Sequence, residues 1–136
     1  EQNFSDPLSA AVAKRDSNVL ETVRDALKYG RTALAFQPVI QAGAPQMLIY
    51  EGFIRIIDPA GRHIPARDFI AQVENNELGR LIDCATLQLG LATLAEQPDV
   101  RLSVKMSAQS IGYPKWVRTL EEGLQRSPNL ATNLIL

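Results

Sequence analysis

The run from Met47 to Ile57 limits most narrowly what this chain can become. Aliphatic, β-branched and aromatic residues dominate it, which predicts a strand. Two charges interrupt it, Glu51 and Arg55. Residues four apart in a strand share a face and stand about 13 Å apart, so Phe53 lies between the two on that face. A strand rarely carries opposite charges in an apolar run unless they pair or bind something. One face of Tyr50-Glu51-Gly52-Phe53-Ile54-Arg55 therefore offers a carboxylate suited to a hard cation and a guanidinium suited to phosphate.

The segments around this run predict an α/β chain. Residues 1–16 read as a linker and residues 17–136 as the domain. Asp16 or Ser17 is expected to cap a helix through about Tyr29, with Leu20, Val23 and Leu27 on one face and Gly30 as its stop. An extended run, Thr32 to Ile40, comes next. The turn residues Gln41-Ala42-Gly43-Ala44-Pro45 join it to Met47–Ile57, which suggests an antiparallel pair. After the turn Asp58-Pro59-Ala60-Gly61, Pro65 suits the first position of a short helix to about Glu74. A longer helix is expected from after Gly79 to about Gln97. Val100 to Met106 alternates as a strand, with Arg101, Ser103 and Lys105 on its polar face. Pro114 opens a further helix, and Leu134-Ile135-Leu136 reads as the beginning of another strand. Helices and strands alternate after the first hairpin, which favours parallel strands. Alternation alone leaves an open sheet and a barrel both possible.

Composition excludes several classes. The 136 residues carry a net charge of -1, with 46% hydrophobic and 21% charged residues, as in an ordinary globular domain. Near-neutral charge argues against broad binding to nucleic acid. No apolar run approaches a membrane span, and no signal peptide is visible. The single Cys84 fits a reducing compartment and reads as an inert core thiol, so cytoplasm is the expected location. His63 reads as a solvated turn residue, and Trp116 as the anchor of its helix. No Gly-rich phosphate loop, zinc spacing or Ser/His/Asp set is present.

Five segments, in order and suitably spaced, resemble the EAL domain, a family of cyclic di-GMP phosphodiesterases. Ala35-Phe36-Gln37-Pro38-Val39-Ile40 is similar to the family's opening strand. Glu51-Gly52-Phe53-Ile54-Arg55 stands where E-A-L-L-R is expected. Ile64-Pro65-Ala66-Arg67-Asp68-Phe69-Ile70 resembles I-x-P-x-x-F-I. Glu74 through Leu81-Ile82-Asp83 resembles A-E-x-x-G-L-I-x-x-L-D, and Ser103-Val104-Lys105-Met106-Ser107-Ala108 falls at V-N-L-S-A.

The resemblance implies the N-terminal half of a modified TIM (β/α) barrel whose first strand runs antiparallel to the rest. It also implies bacterial cyclic di-GMP signalling and, in active members, hydrolysis of one phosphodiester bond at a two-metal centre using Mg²⁺ or Mn²⁺. By position Glu51 would be a metal ligand, Arg55 a phosphate contact and Gln37 a contact near the ligand. The chain departs from that pattern. Phe53 replaces the usual Leu, Gly52 loosens the strand, and Lys105 replaces the metal-binding Asn. Protonated Lys has no acceptor and cannot ligate a cation.

The expectation is a degenerate EAL domain with no catalytic residue and no cofactor of its own, serving as a nucleotide receptor or protein-interaction module. The alternative is an active phosphodiesterase seen as a truncated chain. Glu51 is then a vestigial ligand, and the Lys105 ammonium replaces the metal charge and pairs with it. In plainer readings Glu51 and Arg55 form a structural ion pair, Lys105 is merely solvated and Gln37 is a strand-end residue. A half barrel would leave a strand edge unpaired, so self-association or a protein partner is expected.

Overall fold

The computed structural model describes residues 7–39 and 48–136. The expected loop 41–45, together with Ile40 and Met47, lies outside them. Helix α1 (Pro7–Lys28) leads into β1 (Thr32–Val39) and β2 (Leu48–Ile57). A short β3 (His63–Pro65), a 3₁₀ turn (Ala66–Asp68) and the single-turn α2 (Ile70–Val73) follow. The rest is α3 (Glu77–Glu96), β4 (Val100–Val104), a 3₁₀ turn (Ala108–Ser110), α4 (Pro114–Arg126), another 3₁₀ turn (Pro128–Thr132) and β5 (Leu134–Ile135).

The sheet runs in the order β1-β2-β4-β5, with β3 beside β2. β1 pairs antiparallel with β2, from Thr32 opposite Ile56 to Val39 opposite Ile49. β2–β4 and β4–β5 are parallel. This is the expected barrel half with an antiparallel first strand. Alternation over the second half of β2 fixes the register, because a slip of one residue would turn Gly52, Ile54 and Ile56 away from the helices.

One face of the sheet is covered by helices. Ile54 and Ile56 pack with Val23 and Ala26 of α1, Phe69, and Ile82 of α3. Leu102 and Val104 pack with Leu87, Leu91 and Leu94 of α3 and Trp116 of α4. Leu34 touches both clusters. Cys84 and Trp116 lie in this layer as expected, at 2% and 6% exposure. Burial pushes the Cys84 thiol above its ordinary pKa, which keeps it protonated.

Several boundaries differ from expectation. α1 begins at Pro7 rather than at Asp16 or Ser17. Pro fits a first helical position, and Leu, Ala, Lys and Arg between residues 8 and 15 are strong helix formers, so Asp16 and Ser17 sit inside the helix. Pro65 ends β3 instead of opening a helix: its φ of -72° and ψ of 156° are extended, and it stands opposite Arg55. His63 accordingly lies in a strand, still exposed, rather than in a turn. α3 starts before Gly79, at Glu77, because the Asn76 side chain caps it by accepting from the Leu78 N–H at 2.9 Å. β4 stops at Val104, so Lys105 stands just past its end.

Two glycines make opposite predictions. A Cβ on Gly79 would lie 2.5 Å from the Val73 carbonyl oxygen and 3.2 Å from the Glu74 Cα, both backbone. Gly79→Ala should therefore destabilise the fold by about 1–3 kcal/mol. A Cβ on Gly52 would meet side chains of Leu102, Leu34 and Val104 no closer than 3.4 Å. Gly52→Ala should be neutral or stabilise by about 0.5–1 kcal/mol through lost unfolded-chain entropy. Urea unfolding of both variants checks the pair, and equal effects would refute the packing argument.

Asp58 closes the turn after β2. It accepts from the Arg62 N–H at 2.8 Å and from Arg62 Nε at 2.8 Å. Chiefly through the backbone bond, and against desolvation, these hold its carboxyl below the ordinary range. A lowered folded-state pKa contributes stability above the unfolded value of about 4, and that stability is lost as pH falls through the folded pKa. Asp58→Ala should lower the melting temperature at pH 7, and the gap to the unsubstituted chain should narrow as pH falls below the unfolded value. A gap independent of pH would contradict this.

Candidate functional site

The sheet face away from the helices carries the charged residues. Since Gly52, Ile54 and Ile56 are turned to the core, Glu51, Phe53 and Arg55 occupy the other face of β2. Gln37 on β1 and Ser103 on β4 both stand opposite Glu51, making one row across three strands. Ala35 and Ala33 stand opposite Phe53 and Arg55, so β1 presents only methyl groups beside the aromatic ring and the guanidinium. Gln37 is exposed; Glu51, Phe53 and Arg55 are half-buried.

Lys105 reaches back over this face. Its Nζ lies 3.7 Å from Glu51 Oε1 and 5.8 Å from the centre of the Phe53 ring. The ammonium thus sits between a carboxylate and an aromatic face, both of which attract it. The Lys105 side chain is 79% exposed and that of Glu51 28%. A pair so open to water contributes at most about 1 kcal/mol to stability. Its consequence is the position of a positive charge.

The Glu51–Arg55 ion pair of the plainer reading is not formed. Among the described residues the ion pairs are Arg62–Asp58, Arg67–Asp68 and Lys105–Glu51, and Arg55 belongs to none. Nor do three His, Cys, Asp or Glu side chains converge among the described residues as a metal-ligand set.

A cavity of about 590 Å³ lies between β2, α3 and the segment after β4, with Gly52, Ile54 and Ile82 of the core side in its lining. Phe53 and Lys105 line it together with Arg67, Glu74, Asn75, Arg80, Asp83, Ser107 and Gln109. One wall is held by a polar cluster. Asp83 Oδ2 accepts from the Ser107 N–H at 2.9 Å and from the Ser110 hydroxyl at 2.5 Å. Arg80 Nε donates to the same hydroxyl at 3.1 Å, Nη2 to the Glu74 carbonyl at 2.9 Å, and Nη1 to Gln109 Oε1. Sequence reasoning quoted Asp83 only within a motif and gave Arg80 no part. The available signal was a helix of Leu and Ala carrying an Arg and an Asp three residues apart, a spacing that puts both on one side.

A family profile for the EAL domain matches residues 20–136. Among solved structures, the chain is similar to the EAL domain of Pseudomonas aeruginosa FimX bound to c-di-GMP, with 27% identity over 79% of this chain and 44% of that one, at a TM-score of 0.69. It is also similar to the EAL domain of Xanthomonas citri FimX in complex with c-di-GMP, with 25% identity, 92% and 50% coverage and a TM-score of 0.78. The S helix-GGDEF-EAL portion of Vibrio cholerae LapD, in its apo form, shares the fold at 17% identity, 88% and 29% coverage and a TM-score of 0.68. The chain spans about half the length of the two FimX domains. No curated protein matches the chain. Among the described residues no helix is long and apolar enough to cross a membrane. With a profile match across most of its length and the expected antiparallel first strand in place, the chain belongs to the EAL domain family.

Proposed function

We propose that this chain contributes to a cyclic di-GMP receptor whose metal centre has been lost, rather than to a working phosphodiesterase. The observation that carries this reading is the Lys105 ammonium 3.7 Å from Glu51, the carboxylate at the position of a family metal ligand. With the Lys105 side chain 79% exposed, a unit charge about 4 Å away repels the ammonium by about 1 kcal/mol and a dication by about twice that, and a protonated Lys offers a metal no acceptor. One carboxylate with an ammonium against it does not fit Mg²⁺ or Mn²⁺. The same arrangement suits a nucleotide phosphate held without metal, with Lys105 and Arg55 supplying positive charge and Gln37 a polar contact at the rim. Two FimX domains of similar fold are complexes with c-di-GMP, which supports the choice of ligand. A protein partner would then read the liganded state in the cytoplasm of a bacterium.

Calorimetric titration of the intact protein with cyclic di-GMP in excess chelator tests the first half. Incubation with Mg²⁺ or Mn²⁺, followed by separation of linear pGpG, tests the second. Binding in chelator with no pGpG is expected. Metal-dependent turnover would establish the phosphodiesterase reading in its place, and absence of binding would leave a scaffold.

A further inference from the structure

We propose that Arg80 is a positioning residue that sets where the Lys105 ammonium stands, by fastening both loops at the mouth of the cavity to α3. The inference rests on the nucleotide reading for its functional consequence but not for its geometry. Arg80 is 7% exposed, and its guanidinium donates three ways: to the Glu74 carbonyl after α2, and to Gln109 and Ser110 after β4. Ser110, fully buried, passes the link on to Asp83, which also holds the Ser107 N–H.

The segment 105–110 is therefore tied at residues 107, 109 and 110 to one face of α3. Lys105 hangs between the end of β4 and the first of those ties. A Lys side chain has four rotatable bonds and keeps a fixed place only where its backbone is fixed. The Lys105 side chain is largely exposed and its nearest ion-pair atom is 3.7 Å away, too long for a firm hydrogen bond. Glu51 and the Phe53 ring attract the ammonium, and the anchored backbone sets the point from which it reaches them. A planar fork with three separate acceptors is a task for Arg; the single nitrogen of Lys cannot reach all three.

Two variants of the full chain test this. Arg80→Lys keeps the charge and loses the fork, while Ser110→Ala removes the hydroxyl between Arg80 and Asp83. Both should accelerate hydrogen exchange at the Ser107 amide and alter the rate at which an amine-reactive ester acylates Lys105. Both should also weaken cyclic di-GMP binding, by up to about fivefold, measured well below their melting temperatures. With Lys105→Ala already present, the same changes should cost no more than about twofold, because no ammonium remains to be misplaced. Equal losses in the two backgrounds, or unchanged exchange and acylation in both variants, would overturn the proposal. If the unsubstituted chain binds no cyclic di-GMP, the nucleotide reading fails by itself. Exchange at Ser107 and acylation of Lys105 then decide on Arg80 without it.

Discussion

Arg55→Ala should reduce affinity for cyclic di-GMP by about 2–3 kcal/mol, on the order of a hundredfold, while barely moving the melting temperature. The two halves of this expectation come from the same geometry. Arg55 sits within β2, where the ladder with Ala33 and Pro65 fixes its backbone. Its guanidinium takes part in no ion pair among the described residues, so its removal leaves no carboxylate stranded. The neighbour across the ladder is Ala33, which leaves room beside the guanidinium for an incoming anion. A planar fork on a rigid strand pays little ordering entropy when a phosphate arrives, and charge-assisted bonds to phosphate are the strong kind. Calorimetry and thermal melting on the same preparation check both halves. Unchanged affinity would remove Arg55 from the site, and a large fall in melting temperature would make it structural.

The parts of this fold legible in the sequence are those governed by local rules. The antiparallel β1–β2 pair follows from two extended runs separated by turn residues, and the parallel β2–β4 pair from the intervening helix. The row Gln37, Glu51 and Ser103 follows from motif order once the strands are paired. What was hidden depends on contacts distant in sequence. β3 is only three residues long and exists because the Asp58 turn folds it against β2. The start of α1 was misplaced because Asp16-Ser17 imitates a cap, and only the good helix formers upstream overrule it. The Arg80–Ser110–Asp83 cluster joins residues 27 to 30 positions apart, beyond the reach of any periodicity argument. Lys105 was recognisable as a misfit at its motif position, and its place beside Phe53 depends on β4 ending at Val104.

Lys105→Glu should lower affinity for cyclic di-GMP by about 2 kcal/mol at low salt, roughly thirtyfold, and most of the loss should disappear at high salt. The magnitude follows from exposure. A pair of unit charges about 4 Å apart interacts by about 1 kcal/mol in water and about 4 kcal/mol at an effective dielectric of 20. With its side chain 79% exposed, Lys105 lies near the watery limit. Charge reversal exchanges one such attraction for one repulsion, which doubles the effect. Arg55, half-buried on its strand, should be screened less. Salt therefore separates the two contributions: the Arg55→Ala defect should persist at about 0.5 M salt while the Lys105→Glu defect shrinks. The variant also sets a second carboxylate beside Glu51, so its melting temperature should fall slightly at pH 7. A Lys105 that was only a solvated surface residue would show neither the affinity loss nor the salt dependence. Titrations of the two variants at low and high salt thus test whether the ammonium beside Glu51 supplies positive charge to a bound phosphate.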